Sequence, residues 1–162
     1  MKAQSGFTLV ELMVTVIIIG ILLTIAVTNF IQWNTKFTVE SYTKNIYSTL
    51  MKARNDASYT NSQVRVTLAA NTVTVHLDTN SNGVVDAGEQ NTTTPYPRFA
   101  LISDIGVPNT IIFDRKGMTT NWQTIWVTNY PLTASPGVNC LAVATTRVNM
   151  GLKTGGGSCV LQ

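Results

Sequence analysis

The chain opens on an apolar run and then switches period twice. From residue 9 to residue 27 nearly every side chain is apolar, and Glu11 is the only ionisable group between Lys2 and Lys36. About 20 residues at about 1.5 Å each reach close to 30 Å, the thickness of a bilayer core. Beyond the run, Val39, Tyr42, Ile46, Leu50, Ala53 and Ala57 recur at steps of three and four, while Glu40, Lys44, Lys52, Asn55 and Asp56 fill the opposite face. No Pro or Gly interrupts between Ile21 and Tyr59. The pattern predicts one helix over residues 7 to 58, apolar all round in its first half and amphipathic in its second. After Asn61 and Ser62 the period becomes two: Val64, Val66 and Leu68, then Val73, Val75 and Leu77, with Ala70 and Asn71 as the turn. This predicts an antiparallel hairpin whose inner face lies on the helix. Residues 98–102, 110–113, 124–128, 140–145 and 147–152 supply further short strands between turn-forming Pro, Asn and Gly. The expected fold class is α+β, a long N-terminal helix packed on an antiparallel β-sheet.

Composition narrows what such a chain does. Of 162 residues, about 130 lie beyond the apolar run, enough for one compact domain on a stalk. The formal charge is +3 and the charges are few, which argues against a dense basic stripe for nucleic acid. The two cysteines, Cys140 and Cys159, fall in the segment expected to be exported, where an oxidising compartment favours a disulfide over a metal pair or a reactive thiol. The run of Gly155, Gly156 and Gly157 lets the chain turn back to bring the sulfurs together.

A carboxylate within an apolar span costs on the order of 1 to 3 kcal/mol unless a partner or the interface relieves it. Glu11 therefore calls for a partner. An ordinary secretory signal has an apolar core of about 7 to 15 residues followed by a small-residue cleavage site; here the run is longer and no such site follows Ala26. A short leader with Lys2, then Gly6 before Phe7, Thr8 and Leu9, with Glu11 five residues in from the Gly, resembles the cleavage and assembly signal of type IV pilins and type II secretion pseudopilins. The resemblance implies a leader at 1–6, a transmembrane and assembly helix at 7–29 and a periplasmic or extracellular headgroup at 30–162. It implies that a prepilin peptidase and N-methyltransferase cuts between Gly6 and Phe7 and methylates the new amine. The mature chain then loses Lys2 and one unit of positive charge.

The family's partners are other pilin or pseudopilin subunits and an inner-membrane assembly platform. The carboxylate of Glu11 can then neutralise the amine of Phe7 on an adjacent subunit only when the subunits are correctly staggered. Lys2 before the span favours a single pass with the N-terminus cytoplasmic in the inner membrane, ahead of transfer to the pilus or pseudopilus. Many type IV pilins carry Pro where this chain has Thr28, so the usual reason for a kink is missing here. The segment 112–117 and Cys140 to Val143 also resemble the minor pseudopilin H and minor pilin T group. The resulting expectation is a minor pilin or pseudopilin, a structural subunit and no enzyme.

Two rival readings come from particular residues. Residues 78–89 match the twelve-position calcium loop, with Asp78, Asn80, Asn82, the carbonyl of Val84, Asp86 and Glu89 as candidate ligands and Gly83 at the sixth place. The same Asp, Asn and Gly content also suits a plain hairpin loop. With calcium, an anchored calcium-dependent adhesin is an alternative; no other cofactor is expected. The second alternative is a DNA-binding uptake subunit, since some minor pilins of the T group use a Gly-Arg-x-Arg motif near the C-terminus. Here Thr146, Arg147, Val148 and Asn149 stand in that place, so only Arg147, with Lys153 nearby, is offered to phosphates, and nucleic acid is not the expected partner. His76 reads as a solvated side chain on the outer face of a strand, and Trp122 and Trp126 as core or interface aromatics. No nucleophile-and-base arrangement, phosphate loop or zinc spacing is present.

Overall fold

The computed structural model describes residues 7–155 and 157–162. Its axis is α1, Leu9–Thr60, an unbroken helix of 52 residues. Thr8, in an extended conformation, caps the start, and Asn61, in the left-handed conformation at φ 49°, closes the end by donating its N–H to Ala57 O. The threonines in and beside the apolar run satisfy their hydroxyls within the helix: Thr15, Thr24 and Thr28 donate to the carbonyls of Leu12, Ile21 and Ile25 at 2.7–3.0 Å. Bonded back to their own turn, they suit a bilayer. No Pro breaks the helix at 28, and α1 runs through that position without interruption, in line with the missing reason for a kink.

Only the second half of α1 touches the rest of the protein. Its buried face is Thr35, Val39, Thr43, Ile46, Leu50, Ala53 and Ala57, and Leu9 to Trp33 are exposed. Against that face lie two antiparallel sheets rather than the single sheet expected. The first, in the order β3-β2-β1-β5, is built from β1 (Gln63–Leu68), β2 (Thr72–Asp78), β3 (Asn91–Pro95) and β5 (Asn109–Phe113). The second, β4-β6-β7-β8-β9, takes β4 (Ala100–Ser103), β6 (Gln123–Thr128), β7 (Cys140–Val143), β8 (Val148–Leu152) and β9 (Val160–Leu161). The chain crosses to the second sheet for β4, returns to lay β5 beside β1, then crosses again. Both inner faces meet the helix in one core, with Val64, Val66, Leu68, Ile111 and Phe113 from the first sheet and Leu101, Ile125, Val127, Leu141 and Val143 from the second.

The β1–β2 hairpin has the expected register, with Val66 opposite Val75 and Leu68 opposite Val73. Strand β3 was not expected from the pattern. All five of its residues are exposed, so neither face needs an apolar side chain and no alternation marks it. Its threonines are good strand formers instead, and Thr93 and Thr74 join hydroxyls across the pair at 2.9 Å.

Candidate functional site

At the start of α1, Thr8 Oγ1 accepts the backbone N–H of Glu11 at 3.2 Å. The Thr-x-x-Glu spacing sets Glu11 in the first helical turn, where the positive end of the helix dipole favours a carboxylate. This partly offsets the cost of an acid in the span. Among the described residues Glu11 forms no ion pair, so none of them competes for its carboxylate with a partner from another subunit. Gly6, on the leader side of the expected cut, lies outside the described residues; Phe7 is exposed.

The 78–89 loop joins β2 to β3. Asp78 is fully buried, and its Oδ2 accepts from Arg65 Nε at 2.8 Å and from Gly83 N–H at 2.9 Å, while Oδ1 accepts from Asn82 N–H at 3.1 Å. Burial pushes its pKa up, but the Arg65 bond and the two amides outweigh burial and hold it below the usual value. Gly83 turns the chain at φ +80°, with the Arg65 guanidinium so close that a Cβ there would meet Nη2 at 3.1 Å. Glu89 is satisfied on both oxygens: Oε1 accepts from Thr79 N–H and Thr79 Oγ1, each at 2.8 Å, and Oε2 from Asp86 N–H at 3.1 Å, with His76 Nε2 at 2.8 Å. The bond to His76, then the Asp86 and Thr79 donors, bring its pKa down to about 2. Asp86 Oδ2 accepts from the side-chain amides of Asn80 and Asn82 at 2.6 and 2.7 Å.

The loop thus brings Asn80, Asn82 and Asp86 together, but amide nitrogens face the carboxylate. Asp78 and Glu89 are turned onto Arg65 and His76. Among the described residues no group of three or more His, Cys, Asp or Glu side chains is placed to hold a metal ion. As folded, the donor set does not fit the calcium of that alternative reading, because the protein's own side chains occupy all three carboxylates: Arg65 on Asp78, His76 and Thr79 on Glu89, and Asn80 and Asn82 on Asp86. The headgroup's melting temperature should therefore be the same in millimolar calcium and in excess chelator, as differential scanning calorimetry can check.

His76 is not the solvated side chain expected: it is 6% exposed. The outer face of β2, open in a bare hairpin, is covered because the loop folds back across it. Arg65 sits directly opposite His76 in the register and diagonal to Asp78. That diagonal was available from the hairpin's turn position and was the signal for the Arg65–Asp78 pair. A pH dependence follows. Since the Glu89 carboxyl is depressed from 4.5 to about 2 on folding, its contribution to stability is complete above about 4.5 and is lost as pH falls toward 2. Thermal melts across pH 2–6 should show this decline. Glu89→Gln, which has no such proton to take up, should flatten it.

The two cations offered to DNA do not meet. Arg147 precedes β8 and Lys153 follows it, so the five residues of the strand hold them about 17 Å or more apart at opposite ends of the second sheet. Lys153 is moreover engaged over the Trp126 ring at 4.5 Å and with the Gly157 carbonyl. Trp122 is no core residue. It stands 68% exposed, with Nε1 donating to Thr145 Oγ1 at 2.8 Å.

The expected disulfide is present: Cys140 and Cys159 are bonded, their Cα atoms 6.0 Å apart. It ties β7 to the approach to β9 across Gly151 of β8, which pairs with Cys140 on one side and Leu161 on the other. A Cβ on Gly151 would collide with the Val160 carbonyl oxygen and meet Cys159 Sγ at 2.9 Å. Nothing larger than glycine fits beneath the bridge.

Comparison with known families bears on the same residues. Residues 1–27 match the prokaryotic N-terminal methylation motif, which spans Gly6, Phe7 and Glu11. Residues 43–146, more than half of the chain, match the type II transport protein GspH. The chain belongs to the GspH family. Its fold is shared with the type IV minor pilin FimU of Pseudomonas aeruginosa strain PAO1, in two crystal forms. One gives a TM-score of 0.54 at 13% identity, covering 70% of this chain and 88% of that one. The other gives 0.51 at 11%, covering 70% and 92%. No curated protein matches the sequence. As a GspH-family member the chain is a minor pilin or pseudopilin with a structural role. The methylation motif and the family imply other pilin subunits and a prepilin peptidase as partners, and the apolar helix implies membrane anchoring.

Proposed function

We propose that this GspH-family chain waits in the inner membrane as a single-pass subunit with its N-terminus in the cytoplasm, is cut between Gly6 and Phe7, is methylated at Phe7, and then adds to a filament near its tip. The observation that carries this reading is the length of α1 left without contacts. The helix parts from the headgroup at Thr35 and runs exposed and apolar from Trp33 back to Leu9. Such a surface is stable only in lipid or against equivalent helices, and assembly exchanges one for the other. Glu11, at the helix start, then meets the Phe7 amine of a neighbour and sets the stagger. The assembly platform of the inner membrane extracts the subunit at that step. Mass spectrometry of the assembled form tests the processing step: the N-terminal peptide should begin at an N-methylated Phe7. Assembled subunits that still begin at Met1 would refute it.

A further inference from the structure

The outward face of α1 remains apolar well past the end of the apolar run. Phe30, Trp33 and Phe37 follow at steps of three and four on the side away from Thr35 and Val39, and are 63%, 63% and 60% exposed. Their rings form a ladder, with centroids 6.4 Å apart from Phe30 to Trp33 and 5.9 Å from Trp33 to Phe37, the latter pair stacked. One turn further the same side becomes polar, where Lys44 and Glu40 pair at 3.7 Å. Measured from Leu9 at about 1.5 Å per residue, Val27 lies about 27 Å along the axis, Trp33 about 36 Å and Phe37 about 42 Å. A bilayer's hydrocarbon is about 30 Å thick, and the whole bilayer with its headgroups about 40–45 Å. With Leu9 at the inner edge of the hydrocarbon, the outward interfacial layer takes half of the difference and spans roughly 30 to 37 Å, so Phe30 lies at its inner edge, Trp33 within it and Phe37 just beyond its outer edge. Cations stand at the same height: Lys36 on the helix, and Arg98, which donates to Thr38 Oγ1 at 3.1 Å and Thr35 Oγ1 at 3.4 Å.

We infer that Phe30, Trp33 and Phe37 form an interfacial foot centred on Trp33, which is seated among the lipid glycerols of the outward leaflet with Phe30 below it and Phe37 above it, while Lys36 and Arg98 reach lipid phosphates. The inference rests on the membrane-anchored reading of residues 7–29. Lipid fits these residues better than a neighbouring helix does, because close helix contacts in membranes use small side chains, whereas tryptophan and its aromatic neighbours belong at the interface. Basic side chains at the height of the rings suit anionic headgroups.

The test uses the full chain in phosphatidylcholine and phosphatidylglycerol vesicles, with Trp122→Phe and Trp126→Phe leaving Trp33 as the reporter. Flotation with the vesicles first checks the anchor. Lipids brominated near the glycerol should quench Trp33 about twofold more strongly than lipids brominated near the chain ends, as a belt residue requires. If the double variant does not fold, the difference in emission between the parent and Trp33→Phe reports the same quantity. Protein that floats but shows no quenching would overturn the foot and leave the anchor standing. Protein that fails to float would overturn both. Stronger quenching by the deep bromines would put Trp33 in the hydrocarbon, and quenching that fades as protein is concentrated in the membrane would assign the stripe to a second copy; either result overturns the foot.

Discussion

Gly151→Ala should lower the melting temperature of the headgroup by on the order of 10 °C, the shift that a loss of about 3 kcal/mol gives in a domain of this size. The added methyl collides with the Val160 carbonyl and the Cys159 sulfur, neither of which is the free end of a flexible side chain. Strand β9 must move, and the disulfide restrains how far. Cys140→Ser with Cys159→Ser should by itself cost about 3 kcal/mol, the chain entropy of a loop of this length. The two changes share one site, so they should not add: with the bridge gone, β9 can swing away and Gly151→Ala should cost less than in the parent. Thermal unfolding of all four proteins, with the parent also measured under reductant, gives the complete cycle. Equal penalties for Gly151→Ala with and without the bridge would show that the collision lies elsewhere.

Glu11→Gln should reach the membrane normally and yet be incorporated into filaments more than about a hundredfold less than the parent, since stripping one partner from a buried ion pair costs about 3–5 kcal/mol. The helix start is not at risk, because Thr8 accepts from the backbone N–H of residue 11, which the substitution keeps. An assembly defect can then be attributed to the lost charge. Glu11→Lys should be worse, placing a cation against both the neighbour's amine and the positive end of its own helix. Membrane fractionation beside immunoblotting of sheared filaments separates insertion from assembly. Wild-type incorporation of the Gln variant would remove Glu11 from the account of stagger.

The elements whose periodicity is imposed by burial on one side were legible in the sequence. Val39, Ile46, Leu50 and Ala57 announced α1, and Val64 to Leu77 announced the β1–β2 hairpin with its register. The division into two sheets was not legible, because it depends on which distant strands pair: β5 returns to lie beside β1 with Ile111 opposite Val66, and no local pattern encodes that choice. Strand β3 escaped because both its faces are open. The 78–89 loop shows a different limit. The side chains that would ligate calcium are also those that bond a turn's own amides, as Asn82 does to Val84 N–H at 2.7 Å, and the sequence of the loop cannot choose between the two. The choice came from Arg65, thirteen residues before Asp78, and from His76. Trp122, read as a core or interface aromatic, is not in the core: an indole whose N–H finds Thr145 can remain outside it.

The disulfide also sets how the headgroup responds to force. A chain pulled from its two ends while the bridge holds can pay out no slack between Cys140 and Cys159, a separation of 19 residues, or about 65 Å of contour at about 3.5 Å per residue. Load entering through α1 is passed to β1 immediately after Asn61, so the first sheet lies in the path of tension. Strand β8 lies inside the covalent loop, shielded from it. The C-terminal half of the second sheet is thereby a hem that stays sewn while the hairpin beside the helix unravels.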